Sequence, residues 1–193
     1  MSTLMAPKLI SKDSNSGDSL ECSVHTLPKP LVREFHHVFA EKYLRQSSPA
    51  TSSSTVVVPL DVLAIPTNQR ARMDLVNVGD HVEQEKDRLL NTFIDFARDF
   101  CEKVLAQGYW ADFIDPCSGL PMITTDCNKV YSEVDGMECL LHYKSHNAGF
   151  CKVLTHPKWG SAVYPATIFA YAPKQVVIRL LSEHYPAASE ASN

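Results

Sequence analysis

The sequence predicts an α+β fold: a mainly antiparallel sheet packed with helices. Three observations carry this. Strand-like and helix-like segments follow each other without regular βαβ alternation. The connections between strand-like segments are short, which favours antiparallel pairing. Helical periodicity is strongest in one long stretch near the middle, residues 80–107. The 193 residues are 45% hydrophobic and 21% charged, enough for one domain with its own core. Residues 21–185 are expected to form that domain, with 1–20 and 186–193 as disordered tails.

Residues 1–20 are polar, Lys8 and Lys12 being balanced by Asp13 and Asp18. They have neither the apolar core of a secretion signal nor the arginines of a transit peptide. Residues 28–44 read as a helix, because Leu31, Phe35, Val38, Phe39 and Leu44 fall on one stripe and Pro30 fits its first turn. His36 and His37 are adjacent on that helix and point about 100° apart, so they read as surface histidines rather than a metal pair. Residues 46–55 form a Ser/Thr/Pro/Ala loop. Residues 55–65 are β-branched and read as a strand, with Pro59 at a bulge or edge. Residues 66–70 read as a turn and 73–78 as the hairpin partner of that strand. Asp80 and Glu83 have capping-box spacing for the helix that follows, and Gly108 supplies its left-handed end. Its stripe holds Leu89, Leu90, Phe93, Ile94, Ala97, Phe100, Cys101, Val104 and Leu105. Residues 109–114 read as a strand, 115–119 as a turn and 120–124 as a return strand. Residues 126–147 are irregular with one short helix or strand. Residues 150–155 and 161–171 read as strands joined by Pro157-Lys158-Trp159-Gly160, and a helix over 173–184 closes the domain.

Composition excludes several functions. The net charge is −4 without a Lys/Arg cluster, which argues against a nucleic-acid footprint. No apolar run approaches the roughly 18 residues that span a membrane. The chain holds seven glycines and no Walker, dinucleotide or G-x-S-x-G motif. Its six cysteines (Cys22, Cys101, Cys117, Cys127, Cys139 and Cys151) form no C-x-x-C pair, so reduced thiols rather than zinc ligands or disulfides are expected. Asp112 and Asp115 fall on opposite faces of a strand. They read as a hydrogen-bond acceptor and an Asx-turn residue, not an acid–base pair. Trp110 and Trp159 read as core rings placed beside turns.

The segment Gly149-Phe150-Cys151-Lys152-Val153-Leu154-Thr155-His156 singles out one thiol. Most free cysteines are buried and inert. Here Gly149 leaves room for a large group to approach, and the charge of Lys152 favours the thiolate, which is the nucleophile and the soft metal ligand. His146 lies in the preceding loop and can fold over the site. His156 falls on the opposite strand face, which disfavours a Cys–His dyad.

Two segments carry a family resemblance. Ala106-Gln107-Gly108-Tyr109-Trp110-Ala111-Asp112-Phe113-Ile114-Asp115-Pro116-Cys117-Ser118-Gly119-Leu120 and Gly149-Phe150-Cys151-Lys152-Val153-Leu154-Thr155-His156-Pro157-Lys158-Trp159-Gly160 closely resemble the CblD family of cobalamin trafficking. Glu21-Cys22-Ser23-Val24 and the capped long helix resemble it too. The resemblance implies a nitroreductase- or flavin-reductase-like scaffold without a flavin of its own. It implies a non-enzymatic adaptor that meets the cobalamin-processing protein CblC and routes cobalamin toward methionine synthase and methylmalonyl-CoA mutase. It places the shared cobalamin at Gly149, Cys151 and Lys152, with Cys151 as the cobalt ligand and no cofactor bound to this chain alone. The family motif carries two adjacent cysteines, and Phe150 stands at the first of those positions here. The expected location is the cytosol, with a mitochondrial form where a targeting segment precedes this stretch. The alternative function is a flavin- or thiol-dependent reductase on the same scaffold.

Overall fold

The computed structural model describes residues 3–11, 20–39, 61–149 and 151–187. In chain order the elements are β1 (Thr3–Ile10), β2 (Leu20–Thr26), α1 (Lys29–Val38), β3 (Asp61–Arg70), α2 (Asp80–Ala106), β4 (Trp110–Phe113), α3 (Glu133–Leu141), β5 (Lys144–Ala148), β6 (Cys151–Thr155), β7 (Val163–Ala172) and α4 (Lys174–His184). Five strands form one sheet in the order β1-β2-β3-β7-β4, and β5 with β6 forms a separate hairpin. Every neighbouring pair is antiparallel. The fold is α+β with a mainly antiparallel sheet, as the sequence predicts.

Alternation along the strands divides the core into two layers. Leu63 and Ile65 face one way, against Phe93, Ala97 and Phe100 of α2 and Leu181 of α4. Ala64 and Phe169 face the other way, against Leu31, Phe35 and Phe39 of the α1 segment and Tyr131. On this second side Trp110 meets Phe35 and Phe39 edge-on at centroid distances of 5.7 and 5.0 Å, the geometry that ring quadrupoles favour. His36 and His37 are exposed on the outer face of α1.

Several sequence expectations need correction. Thr3–Ile10, expected within a disordered tail, is the edge strand β1. Ser11 donates its N–H to Pro186 O at 3.2 Å, and Ile10 bridges Ala187, so residues 186–187 are tied down as well. The turn expected over 66–70 is instead the second half of β3. Thr67, Asn68 and Gln69 are buried there, and Pro66 is accommodated opposite Thr167. Proline removes one ladder donor and still adopts an extended φ; burial outweighed that local signal. Residues 73–78 form no strand. Asp74 folds them into a turn by accepting the Val76 N–H (3.0 Å) and the Ser161 hydroxyl proton (2.7 Å). The capping box does not form. Gly79 is the N-cap of α2, and Glu83 pairs with Lys86 at 2.8 Å instead of reaching back. Gly108, at φ 82, does end the helix. Beyond β4, the return strand reduces to the bridge Ile114–Pro121. Leu44, Pro59, the 46–55 loop, the 55–60 part of the expected strand and residues 188–193 lie outside the described residues.

Candidate functional site

The hairpin register pairs Lys144 with Thr155, Asn147 with Lys152 and Ala148 with Cys151, leaving Gly149 and Phe150 as the connection. Such a two-residue connection calls for a left-handed residue. Gly149 has φ 63, and no atom lies within 4 Å of where a Cβ would stand. Phe150 lies outside the described residues. Strand alternation then sorts the side chains. Leu154 is buried with Met137 and Val163, so its face of the hairpin looks inward, toward α3 and β7. Cys151, Val153 and Thr155 stand on the other face, and Cys151 is exposed. The sulfur is therefore presented outward at the end of a narrow ribbon, beside a glycine that obstructs nothing.

Lys152 leaves the strand on the α3 side, away from Cys151, and stays exposed. Its Nζ lies 2.6 Å from both Asp135 Oδ1 and Glu138 Oε2 on α3. Hydrogen bonding from Lys152 holds both carboxyls below their ordinary range and raises the ammonium in return. The cation expected to favour the thiolate is thus matched by two anions on the far side of the strand. Glu138 also accepts the Ser145 hydroxyl proton at 2.5 Å, so it bonds both strands of the hairpin. His146, expected in a loop, lies in β5 opposite Val153, on the Cys151 face. Its Nδ1 is 3.2 Å from Thr155 Oγ1.

His156 is buried, on the face away from Cys151, and makes no dyad with it. Nδ1 accepts the backbone N–H groups of Lys158 (3.1 Å) and Trp159 (3.3 Å), which leaves the proton on Nε2. Nε2 donates to Glu21 Oε1 at 3.0 Å, and Tyr143 donates to the same oxygen at 2.8 Å. Burial alone would raise the Glu21 carboxyl; these bonds hold it below its ordinary value. The Trp159 ring stacks on His156 at 4.0 Å. Tyr143 precedes β5 and His156 follows β6, so this cluster fastens the root of the hairpin to β2.

The remaining candidates take structural places. Asp112 is buried and accepts the N–H groups of Phe113, Ile123 and Thr124 at 2.7, 2.9 and 2.8 Å. Asp115 makes its Asx-turn with the Cys117 N–H at 3.0 Å. Cys22 and Cys101 are buried, and desolvation pushes their thiols up, Cys22 to about 12. Cys117 is exposed, 3.7 Å from the Tyr164 hydroxyl. Sequence reasoning missed Glu133. It is buried, with its carboxyl accepting the Thr167 N–H at 3.1 Å and the Thr167 hydroxyl proton at 2.5 Å. Its only sequence signal was a place in the first turn after the capping Ser132, in a stretch of weak periodicity.

Among the described residues no three His, Cys, Asp or Glu side chains group to hold a metal ion, and no helix is long and apolar enough to cross a membrane.

The family model described as methylmalonic aciduria and homocystinuria type D protein matches residues 6–181. The chain belongs to this family. The rat cobalamin trafficking protein CblD is 32% identical over 153 residues, covering 79% of this chain and 47% of the rat protein. The human protein of that name is 31% identical over 164 residues, covering 84% of this chain and 50% of its own length. The chicken protein is 32% identical over 164 residues with the same coverage. The chain thus spans about half the length of the curated relatives it matches. The family match takes in β6 and Cys151 as well as the Asp112 turn.

Proposed function

We propose that the protein is a non-enzymatic adaptor of cobalamin trafficking. In this reading Cys151 gives an axial thiolate to the cobalt of a cobalamin carried by CblC, and the complex directs the cargo toward methionine synthase and methylmalonyl-CoA mutase. The observation that carries it is the exposed Cys151 sulfur on the outward face of the hairpin, with Gly149 leaving open space beside it. The names of the relatives supply the cargo. The chemistry is consistent. A corrin fills the equatorial positions of cobalt, so one soft protein ligand suffices, and an end-on thiol on a thin ribbon can enter a site on another protein. Gly149 then serves access and Lys152 serves anchoring. The nitroreductase-like scaffold without a resident flavin and the cytosolic location belong to the same proposal.

The test is the visible spectrum of the chain mixed with cobalamin-loaded CblC. A thiolate-type change that disappears in Cys151→Ser, with complex formation retained, supports the reading. An unchanged wild-type spectrum rejects cobalt ligation. A yellow chromophore on the purified chain, with turnover of reduced nicotinamide, would replace the adaptor by a reductase.

A further inference from the structure

We infer that Glu138 is a positioning residue for Cys151, a keystone that fixes the hairpin from the side opposite the thiol. The inference rests on the proposed cobalt ligation and deepens it. A two-stranded hairpin has little stability of its own and needs packing or cross-links to hold one arrangement. Here a single carboxylate reaches both strands. Oε1 takes the Ser145 hydroxyl proton at 2.5 Å, and Oε2 takes the Lys152 ammonium at 2.6 Å. Lys152 is the direct neighbour of Cys151, and Ser145 pairs with Leu154 across the hairpin. Asp135, nearly one turn earlier on α3, holds Lys152 from a second direction at 2.6 Å. Helix α3 itself is fixed to the sheet through Glu133 and Thr167 of β7. The path from the sheet to the sulfur thus runs β7, α3, Glu138, Lys152, Cys151.

Two accounts of this carboxylate predict opposite signs. If Glu138 acted through charge, removing it would leave Lys152 less neutralised beside Cys151, favour the thiolate and strengthen ligation. If it acts by position, removal frees the hairpin. Apparent affinity then falls with the fraction of molecules that hold the competent arrangement. The geometry selects position, because Lys152 and Cys151 project from opposite faces of β6.

The experiment compares wild type with Glu138→Ala, Glu138→Gln and Ser145→Ala. Each is titrated against cobalamin-loaded CblC by visible absorbance. Amide exchange is followed by mass spectrometry on the hairpin and on the five-stranded sheet, and Cys151 alkylation is measured against pH by peptide mapping. Glu138→Ala is expected to weaken ligation on the order of tenfold. It should also speed exchange in residues 144–155 alone, without making the thiol more acidic. Glu138→Gln, which keeps an acceptor, should recover part of the loss, and Ser145→Ala should lose less than Glu138→Ala. Unchanged affinity and hairpin exchange in Glu138→Ala would overturn the inference. So would tighter ligation with a more acidic thiol, or faster exchange spread evenly over the sheet. If wild type shows no cobalt–thiolate band, the functional reading fails, while the exchange comparison still decides whether Glu138 holds the hairpin.

Discussion

Glu133 is a carboxyl placed where its charged form meets little solvent. Burial pushes it up from the usual carboxylate range to about 8, against the downward pull of its two bonds from Thr167. In the unfolded chain it ionises near pH 4.5, so between that pH and about 8 the folded state holds more protons than the unfolded one. Stability therefore falls as pH rises through this window and is fully retained below it. Glu133→Gln cannot ionise. Urea titrations from pH 4.5 to 8 should show a smaller decline for the variant, with the two curves diverging by on the order of a few kcal/mol. At this scale the sequence was legible where chemistry is local. Gly149 and Cys151 announce an accessible thiol because the cues are adjacent, and the Asp115 turn is written within five residues. The partners of Lys152 were not legible, because Asp135 and Glu138 lie 17 and 14 positions upstream and meet it only through folding. Glu133 was equally hidden: its partner lies 34 positions downstream.

Helix α2 was the most readable element, since its stripe persists over many turns and Gly108 closes it. Strand β1 was the least. It is half-exposed, holds Pro7 and Lys8, and its pairing with β2 shifts register between Met5 and Lys8. Those are devices that keep an edge strand from recruiting another chain, and they also erase the alternation that reveals a strand. Helix α3 was illegible for a different reason, the glycine at its centre. A Cβ on Gly136 would fall 1.9 Å from the Tyr131 hydroxyl oxygen and 2.7 Å from its ring carbon. Tyr131 has little freedom to yield, because its ring stands edge-on against Phe169 at 5.2 Å. Alanine at position 136 would gain about 1 kcal/mol of helix propensity over glycine. Overpacking should outweigh that, so Gly136→Ala is expected to lose about 2 kcal/mol net in urea unfolding. The hydroxyl faces Thr167 without hydrogen-bond geometry, so adding Tyr131→Phe should recover part of the loss. Equal stability of Gly136→Ala and wild type would show that α3 can shift outward.

Across the whole molecule, the N-terminal strand and residues 186–187 close one side of the sheet. Ile10 is fully enclosed, and Leu4 and Met5 pack on the main core. Deleting residues 1–11 should expose the hydrogen-bonding edge of β2 and uncover Leu20 and Cys22. The expected result is a lower urea midpoint together with concentration-dependent self-association in sedimentation. A monomer with unchanged midpoint would show that β1 is dispensable. The overall class was predictable from the order of elements. The five-strand order was not, because β7 inserts between β3 and β4, a pairing that no local pattern encodes. The path of the chain after Cys151 has a mechanical side. β6 runs through the His156–Gly160 turn straight into β7, where every residue from Val163 to Ala172 is matched to a residue of β3. Under the proposed cobalt ligation, tension applied at the sulfur as the cobalamin is pulled away would pass into a strand gripped along its full length. The load would then be shared across many bonds at once, so the tether should hold while the bond to the metal gives way.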